Sequence, residues 1–282
     1  MKPTLLIALF LVALPAMAQL PTPNKMGVSA GHDVLRAKDV ETSNKFWMAL
    51  GAESIPFVGT NRFMKFPGLL IFTVSNAPAQ GKGATKAAPA TPPPPPVELA
   101  GSEGSSLDFI GFSVKDLKAS LAKWADAGIK PLPGGSSKEV YVLSPDKIKV
   151  RITEDKKLAT PVAAETIKMM VPNVKAAQDW YAKNFGATLG KRNGETVAEI
   201  PGSSIIFEQA KAPVAPSKGR AFDRIGLEVV GLVAFAKKLE ANGVKFDSPY
   251  RYTESMKAGF AVFQDPFGTQ IELSEGLAAM TK

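Results

Sequence analysis

The 282 residues contain one histidine and no cysteine, which leaves few groups for covalent or metal chemistry. A thiol nucleophile, a disulfide and a cysteine-held metal are all excluded. The histidine, His32, sits in Gly31-His32-Asp33-Val34-Leu35-Arg36. A serine triad would have to use it, yet no Gly-x-Ser-x-Gly accompanies it, and neither a P-loop nor a dinucleotide-binding glycine fingerprint is present. A lone histidine on a strand is more often a satisfied structural residue than a catalyst. Its role stays open until the elements that position it are considered.

Formal net charge is +8, with 45% hydrophobic and 21% charged residues, an ordinary globular balance. Lysines and arginines are scattered among acids with no basic stripe interleaved with aromatics, which argues against nucleic acid as a partner. At the start, Lys2 precedes the apolar run Leu5 to Leu14 and then Ala16-Met17-Ala18. That is the pattern of a secretory leader over residues 1–18, too short to span a bilayer. The mature chain is expected to be exported, periplasmic or extracellular, with no membrane anchor after cleavage.

The rest of the chain is written twice. Asp108-Phe109-Ile110-Gly111-Phe112 returns as Asp223-Arg224-Ile225-Gly226-Leu227, and the register persists through Gly128 and Gly243. Phe46-Trp47 before Leu50-Gly51-Ala52 likewise parallels Trp180-Tyr181 before Phe185-Gly186-Ala187. A repeat of this length indicates duplication. Each half divides again into two modules with a strand, a helix and a run of strands. Ile110, Phe112 and Val114 alternate as a half-buried strand does, then Leu117, Leu121 and Trp124 follow at helical spacing up to Gly128. The halves are read as residues 19–154 and 165–282, joined by a linker at 155–164. Within the first, Ala77 to Gly104 carries five consecutive prolines, Pro92 to Pro96, and is expected to be an exposed loop.

The fourth module closes with Phe263-Gln264-Asp265-Pro266-Phe267-Gly268-Thr269-Gln270-Ile271-Glu272-Leu273. This resembles the closing hairpin of the vicinal-oxygen-chelate superfamily, which includes glyoxalase I, bleomycin-resistance proteins and extradiol dioxygenases. The resemblance covers nearly all of the mature chain outside the Pro-rich loop. It implies an α+β fold of four βαβββ modules forming two cup-shaped mixed sheets. It also implies a divalent metal held by residues on the first and last strands of paired modules. His32 lies seven residues before Asp39, as the superfamily's ligand histidine lies before its aspartate, and Glu272 matches the ligand glutamate.

The other matched positions hold Phe109, Thr166 and Arg224 on first strands and Arg151 on the last strand of module two. His32 and Glu272 are thus the candidate metal ligands, and a guanidinium offers a cation neither a lone pair nor a compatible charge. Two pairings stay open. If modules one and two share a cup, it holds His32, Arg36, Phe109, Lys149 and Arg151, a cationic pocket suited to a small anionic or aromatic ligand. If modules one and four pair, His32 and Glu272 meet with Arg224 between them. Glu208 would add a carboxylate only if its strand's register were shifted by one.

Three functions follow as expectations, and whether the chain is an enzyme is left open. The first is a binding protein that keeps the cup without a complete metal site or other cofactor. The second is a metal-dependent lyase or dioxygenase of the glyoxalase type using His32 and Glu272. The third is a structural or partner-binding module. The leader reading gives an immediate test: N-terminal sequencing of exported protein should begin at or near Gln19, and an intact Met1 in soluble cytoplasmic protein would overturn it.

Overall fold

The computed structural model describes residues 20–59, 61–76 and 98–281. The leader and residues 77–97 of the Pro-rich stretch lie outside the described residues.

Module one runs β1 (Val28–Ala37), α1 (Val40–Leu50), β2 (Glu53–Pro56), β3 (Arg62–Phe66) and β4 (Leu69–Ser75). Module two follows with β5 (Leu107–Val114), α2 (Leu117–Asp126), β6 (Glu139–Leu143) and β7 (Lys149–Glu154). Module three comprises β8 (Val162–Val171), α3 (Val174–Phe185), β9 (Thr188–Arg192), β10 (Glu195–Ile200) and β11 (Ser203–Gln209). Module four is β12 (Phe222–Val229), α4 (Leu232–Ala241), β13 (Phe246–Thr253), β14 (Ala258–Gln264) and β15 (Gln270–Glu275). No helix among the described residues is long and apolar enough to cross a membrane.

Local chemistry sets these boundaries. Asp39, Asp116 and Asn173 each accept a backbone N–H from the first turn of the helix they precede, satisfying a donor the helix leaves orphaned. α4 starts after Gly231 and has no such side chain. Glu275 of β15 caps it instead, accepting from Gly231 N at 2.7 Å and Leu232 N at 3.2 Å. α3 stops at Gly186, whose φ of 66° is left-handed.

Modules pair first with fourth and second with third. An eight-stranded sheet runs β13-β14-β15-β12-β1-β4-β3-β2, and a seven-stranded sheet runs β6-β7-β5-β8-β11-β10-β9. The seams are antiparallel, β1 on β12 and β5 on β8. The sequence halves 19–154 and 165–282 therefore do not each close a cup of their own. Of the two pairings the sequence leaves open, the one that joins His32 to Glu272 is adopted. β8 begins at Val162, inside the stretch 155–164 read as linker, because Val162 to Ala164 already pair with Val114 to Phe112.

The end of the Pro-rich stretch also departs from expectation. Residues 98–104 are not wholly solvated: Glu98, Ala100, Glu103 and Gly104 are exposed, but Leu99 and Ser102 are buried. Ala100 accepts from Ala221 N, while Ser102 Oγ accepts from Lys149 N at 2.9 Å. Leu99 is apolar enough to join the core, and Ser102 serves the backbone donor of the first residue of β7.

One face of each sheet carries its helices, and these faces meet in a common core around Trp47, Phe112, Tyr181, Phe185 and Phe222. Burying each such side chain contributes about 1.5–3 kcal/mol. Asp265 ties the sheets together by accepting from Tyr181 Oη at 2.9 Å and from Thr269 N at 2.7 Å. Burial pushes its carboxyl up to about 6, with these hydrogen bonds acting in the opposite direction. Asp33 has no such compensation. It borders a cavity of ≈ 20 Å³ between the sheets, faced by Ile225 and Leu227 on one side and Ile110, Ile167 and Ile205 on the other. Among the described residues neither of its carboxyl oxygens has a hydrogen-bond partner, and burial pushes its pKa up to about 8.

The sign of the consequence is fixed by linkage. The folded chain keeps the Asp33 proton up to about pH 8, whereas the unfolded chain releases it near the ordinary carboxyl value. The Asp33 contribution to folding stability therefore falls as pH rises between those two values and is flat outside them. Asp33→Asn removes this titration, so its stability relative to the native protein should climb through that window and reach a few kcal/mol at its alkaline end. Urea denaturation at pH 4, 6 and 8 checks this; a constant difference would show that Asp33 does not carry a buried proton.

Candidate functional site

The pairing registers place the candidate residues in two equivalent floors. In the eight-stranded sheet His32 lies beside Gly226, and Gly226 lies beside Glu272. In the seven-stranded sheet Thr166 lies beside Gly111, and Gly111 beside Arg151. Both glycines are steric necessities. A Cβ on Gly226 would come within 2.4 Å of the His32 ring, and one on Gly111 within 1.9 Å of Thr166 Oγ1. Two residues earlier on the central strands stand Arg224 and Phe109. The same spacing identifies the remaining positions. Val34, two residues after His32, lies beside Phe72, and Lys168, two after Thr166, lies beside Ile206.

The first floor holds His32, Phe72, Arg224 and Glu272. His32 Nε2 donates to Glu272 Oε1 at 2.8 Å, and the residues are 1% and 8% exposed. Arg224 Nε stands 3.4 Å from Glu272 Oε2. Burial by itself would raise the Glu272 carboxyl, but the His32 hydrogen bond and the charges of His32, Arg224 and Arg251 outweigh it and hold the group below its usual value. The face above is occupied by the chain's own apolar residues. Phe63, Leu70, Ala258, Phe260 and Leu277 are buried there, with Phe57 and Phe72 packed against them. The rings of Phe57, Phe63 and Phe72 lie 4.4–5.1 Å apart. Arg36 lies off this centre, donating to Asp223 Oδ1 at 2.8 Å.

The second floor holds Phe109, Arg151, Thr166 and Ile206, and its apolar cluster is smaller: Phe109, Val197 and Ile206, with Tyr141 against them. Arg151 is 9% exposed and lies over the Phe109 ring at 4.7 Å. Its Nη1 donates to both carboxylate oxygens of Glu195 at 2.9 Å. Lys149 pairs with Asp108 at 2.6 Å, and Lys168 pairs with Glu208. Beside Arg151 opens a hollow of ≈ 210 Å³ lined by Ser113, Thr153, Glu165, Thr166, Arg192 and Glu195, among others. Ser113 Oγ donates to Glu165 Oε2 at 2.6 Å, and Arg192 Nη2 reaches the same oxygen at 3.3 Å.

The candidates proposed from sequence therefore separate. His32, Arg36, Arg224 and Glu272 belong to the eight-stranded sheet; Phe109, Lys149 and Arg151 belong to the other. A single cationic pocket containing His32 with Phe109 and Arg151 does not form, because the seams join β1 to β12 and β5 to β8. Glu208 does not reach a floor position either: it lies two residues beyond Ile206, beside Met170. Sequence reasoning missed Glu165, Arg192 and Glu195. Asn193-Gly194 was the available signal, since that dipeptide marks a tight hairpin and would have set Arg192 opposite Glu195, as is found. Among the described residues no group of three or more histidine, aspartate or glutamate side chains is placed to hold a metal ion.

Residues 163–273 match the family model described as the Glyoxalase/Bleomycin resistance protein/Dioxygenase superfamily. Glyoxalase I from Zea mays shares the fold at TM-score 0.67 and 15% identity, over 90% of this chain and 94% of that one. A point mutant of that maize enzyme gives 0.68 and 14%, over 91% and 96%. A candidate dioxygenase from Bacillus subtilis gives 0.59 and 12%, over 93% and 88%. No curated protein matches the chain. The resemblance drawn from the Asp265-to-Glu272 hairpin is borne out, as is the α+β fold with two mixed sheets.

The His32–Glu272 contact should be a structural asset at neutral pH. Glu272→Ala leaves the buried His32 Nε2 donor unpaired and Arg224 with Asp223 as its remaining acid, and should destabilise the protein by about 1–3 kcal/mol at pH 7. Because the folded carboxyl titrates below its unfolded value, this advantage is present above the unfolded value and lost as pH falls through the folded one. Denaturation at pH 7 and pH 3 should show the difference shrinking; equal differences would place the stabilisation elsewhere.

Proposed function

We propose, with the glyoxalase-superfamily fold as premise, that this protein is an exported binding protein. It takes a small anionic, partly aromatic ligand into the seven-stranded cup without a resident metal. The carrying observation is Arg151, buried at a floor position over the Phe109 ring and beside a hollow of ≈ 210 Å³. Guanidinium binds carboxylate in a planar, charge-assisted geometry. The hollow is smaller than ordinary ligand pockets of about 300–1,000 Å³, so the ligand is small. The eight-stranded cup is filled by the chain's own phenylalanines and leucines and is the poorer candidate.

The metal implied by the superfamily does not fit the residues present. A divalent ion needs three or four nitrogen or oxygen donors. The first floor offers His32 and Glu272, already bonded to each other, together with Phe72 and Arg224. The second offers Phe109, Arg151, Thr166 and Ile206, where one hydroxyl faces a guanidinium. At an effective dielectric of about 20, a unit charge roughly 4 Å from a divalent ion costs several kcal/mol. The one observation favouring a metal-dependent lyase or dioxygenase is the meeting of His32 and Glu272.

Benzoate, a planar carboxylate, should raise the thermal stability of the native protein by mass action, approaching about 2.7 kcal/mol at a hundred times its Kd. The increment should vanish in Arg151→Gln, compared with that variant's own unliganded baseline. Undiminished protection in Arg151→Gln, or none in the native protein, would overturn the reading.

A further inference from the structure

The carboxylate of Glu195 stands where a ligand's carboxylate would bind. Both of its oxygens accept from Arg151 Nη1 at 2.9 Å. Its side chain is 30% exposed, against 11% for Arg151, so the anion is at the mouth of the hollow and the cation at its floor. Glu195 comes from module three and Arg151 from module two, so the contact crosses the seam-joined sheet. It is the first residue of β10, directly after a turn in which Asn193 and Gly194 have φ of 51° and 84°. A two-residue turn of this kind holds its backbone tightly, which leaves the side chain as the movable part. Arg192 lies opposite Glu195 in the hairpin register and is 42% exposed, so a displaced Glu195 carboxylate stays near a second cation, one that Ser204 and Glu165 already engage.

We infer that Glu195 is a resident competitor for the Arg151 site: a small carboxylate ligand binds by displacing the Glu195 carboxylate from the guanidinium. This rests on the seven-stranded cup being the ligand site. The device sets specificity. A neutral ligand cannot replace the charge-assisted bond that it breaks, and it leaves Arg151 buried without a counter-charge. A carboxylate restores both. Glu195 thus protects the cationic floor when no ligand is present and raises the concentration at which a ligand binds.

The test is calorimetric titration of the full chain with benzoate and with benzamide, its uncharged counterpart. Glu195→Gln removes the competing charge, and the mixed exposure of this side chain makes the substitution tolerable; melting curves verify that the variant folds. Glu208→Gln removes an equal charge from the same cup at Lys168 and controls for general electrostatics. Glu195→Gln should bind benzoate about tenfold more tightly than the native protein, as expected for release of one charge-assisted bond, with benzoate still preferred over benzamide because only the carboxylate returns a counter-charge to Arg151. Glu208→Gln should show a much smaller gain. An equal gain in Glu208→Gln would overturn the inference, as would benzoate binding to the native protein that is unchanged or weakened in Glu195→Gln; either outcome leaves the cup as the ligand site. Absence of benzoate binding by the native protein overturns the site and the inference together.

Discussion

The antiparallel seams decide everything else in this molecule. β1 meets β12, and β5 meets β8, with a glycine at the centre of each seam's floor because a side chain from the opposite strand occupies the space a Cβ would need. Gly226 admits the His32 ring and Gly111 admits Thr166. A residue with a side chain at either place would push the paired strands apart, and the floor residues on three adjacent strands would lose their common plane. The seam also determines which residues share a cup, since a strand's neighbours, more than its own sequence, select what faces its side chains.

From that single arrangement two chemically different floors arise. The first brings an acid, an imidazole and a guanidinium together beneath a cluster of phenylalanines. Its acid and imidazole are hydrogen-bonded to each other, and the protein contributes the apolar cover from β3, β4, β14 and the turn at Leu277–Thr281. The second keeps an arginine over an aromatic ring and opens a hollow beside that arginine. The two module pairs share one scaffold, yet one floor lies beneath the chain's own apolar cover and the other opens onto a hollow. Duplicated modules can diverge in this way because the fold is maintained by the helix-bearing faces, whose core is continuous.

The sequence carried the local structure well. Repetition of Ile110-Gly111 as Ile225-Gly226 placed the central strands, and the Asp-Pro-Phe-Gly turn placed Glu272. Two things were illegible for a physical reason. The pairing of modules depends on long-range contacts that no local pattern encodes, so the sequence left His32 facing either Arg151 or Glu272. The hairpin of module three carries only exposed residues in β9, so it lacks the apolar alternation by which a strand announces itself. With it went Glu195 and Arg192, the acid and base that complete the second cup. Leu99 and Ser102 were hidden by the prolines before them, which set the composition of the stretch without setting the packing of its end.

If the scaffold binds through Arg151 as proposed, it does so without the divalent ion that the resemblance to the glyoxalase superfamily implies. Elemental analysis of protein purified from metal-replete medium, in parallel with His32→Ala, tests it most directly. The account predicts clearly substoichiometric metal in the native protein and no change in His32→Ala. One tightly held divalent ion per chain, lost in His32→Ala, would contradict it and make the His32–Glu272 floor the working site.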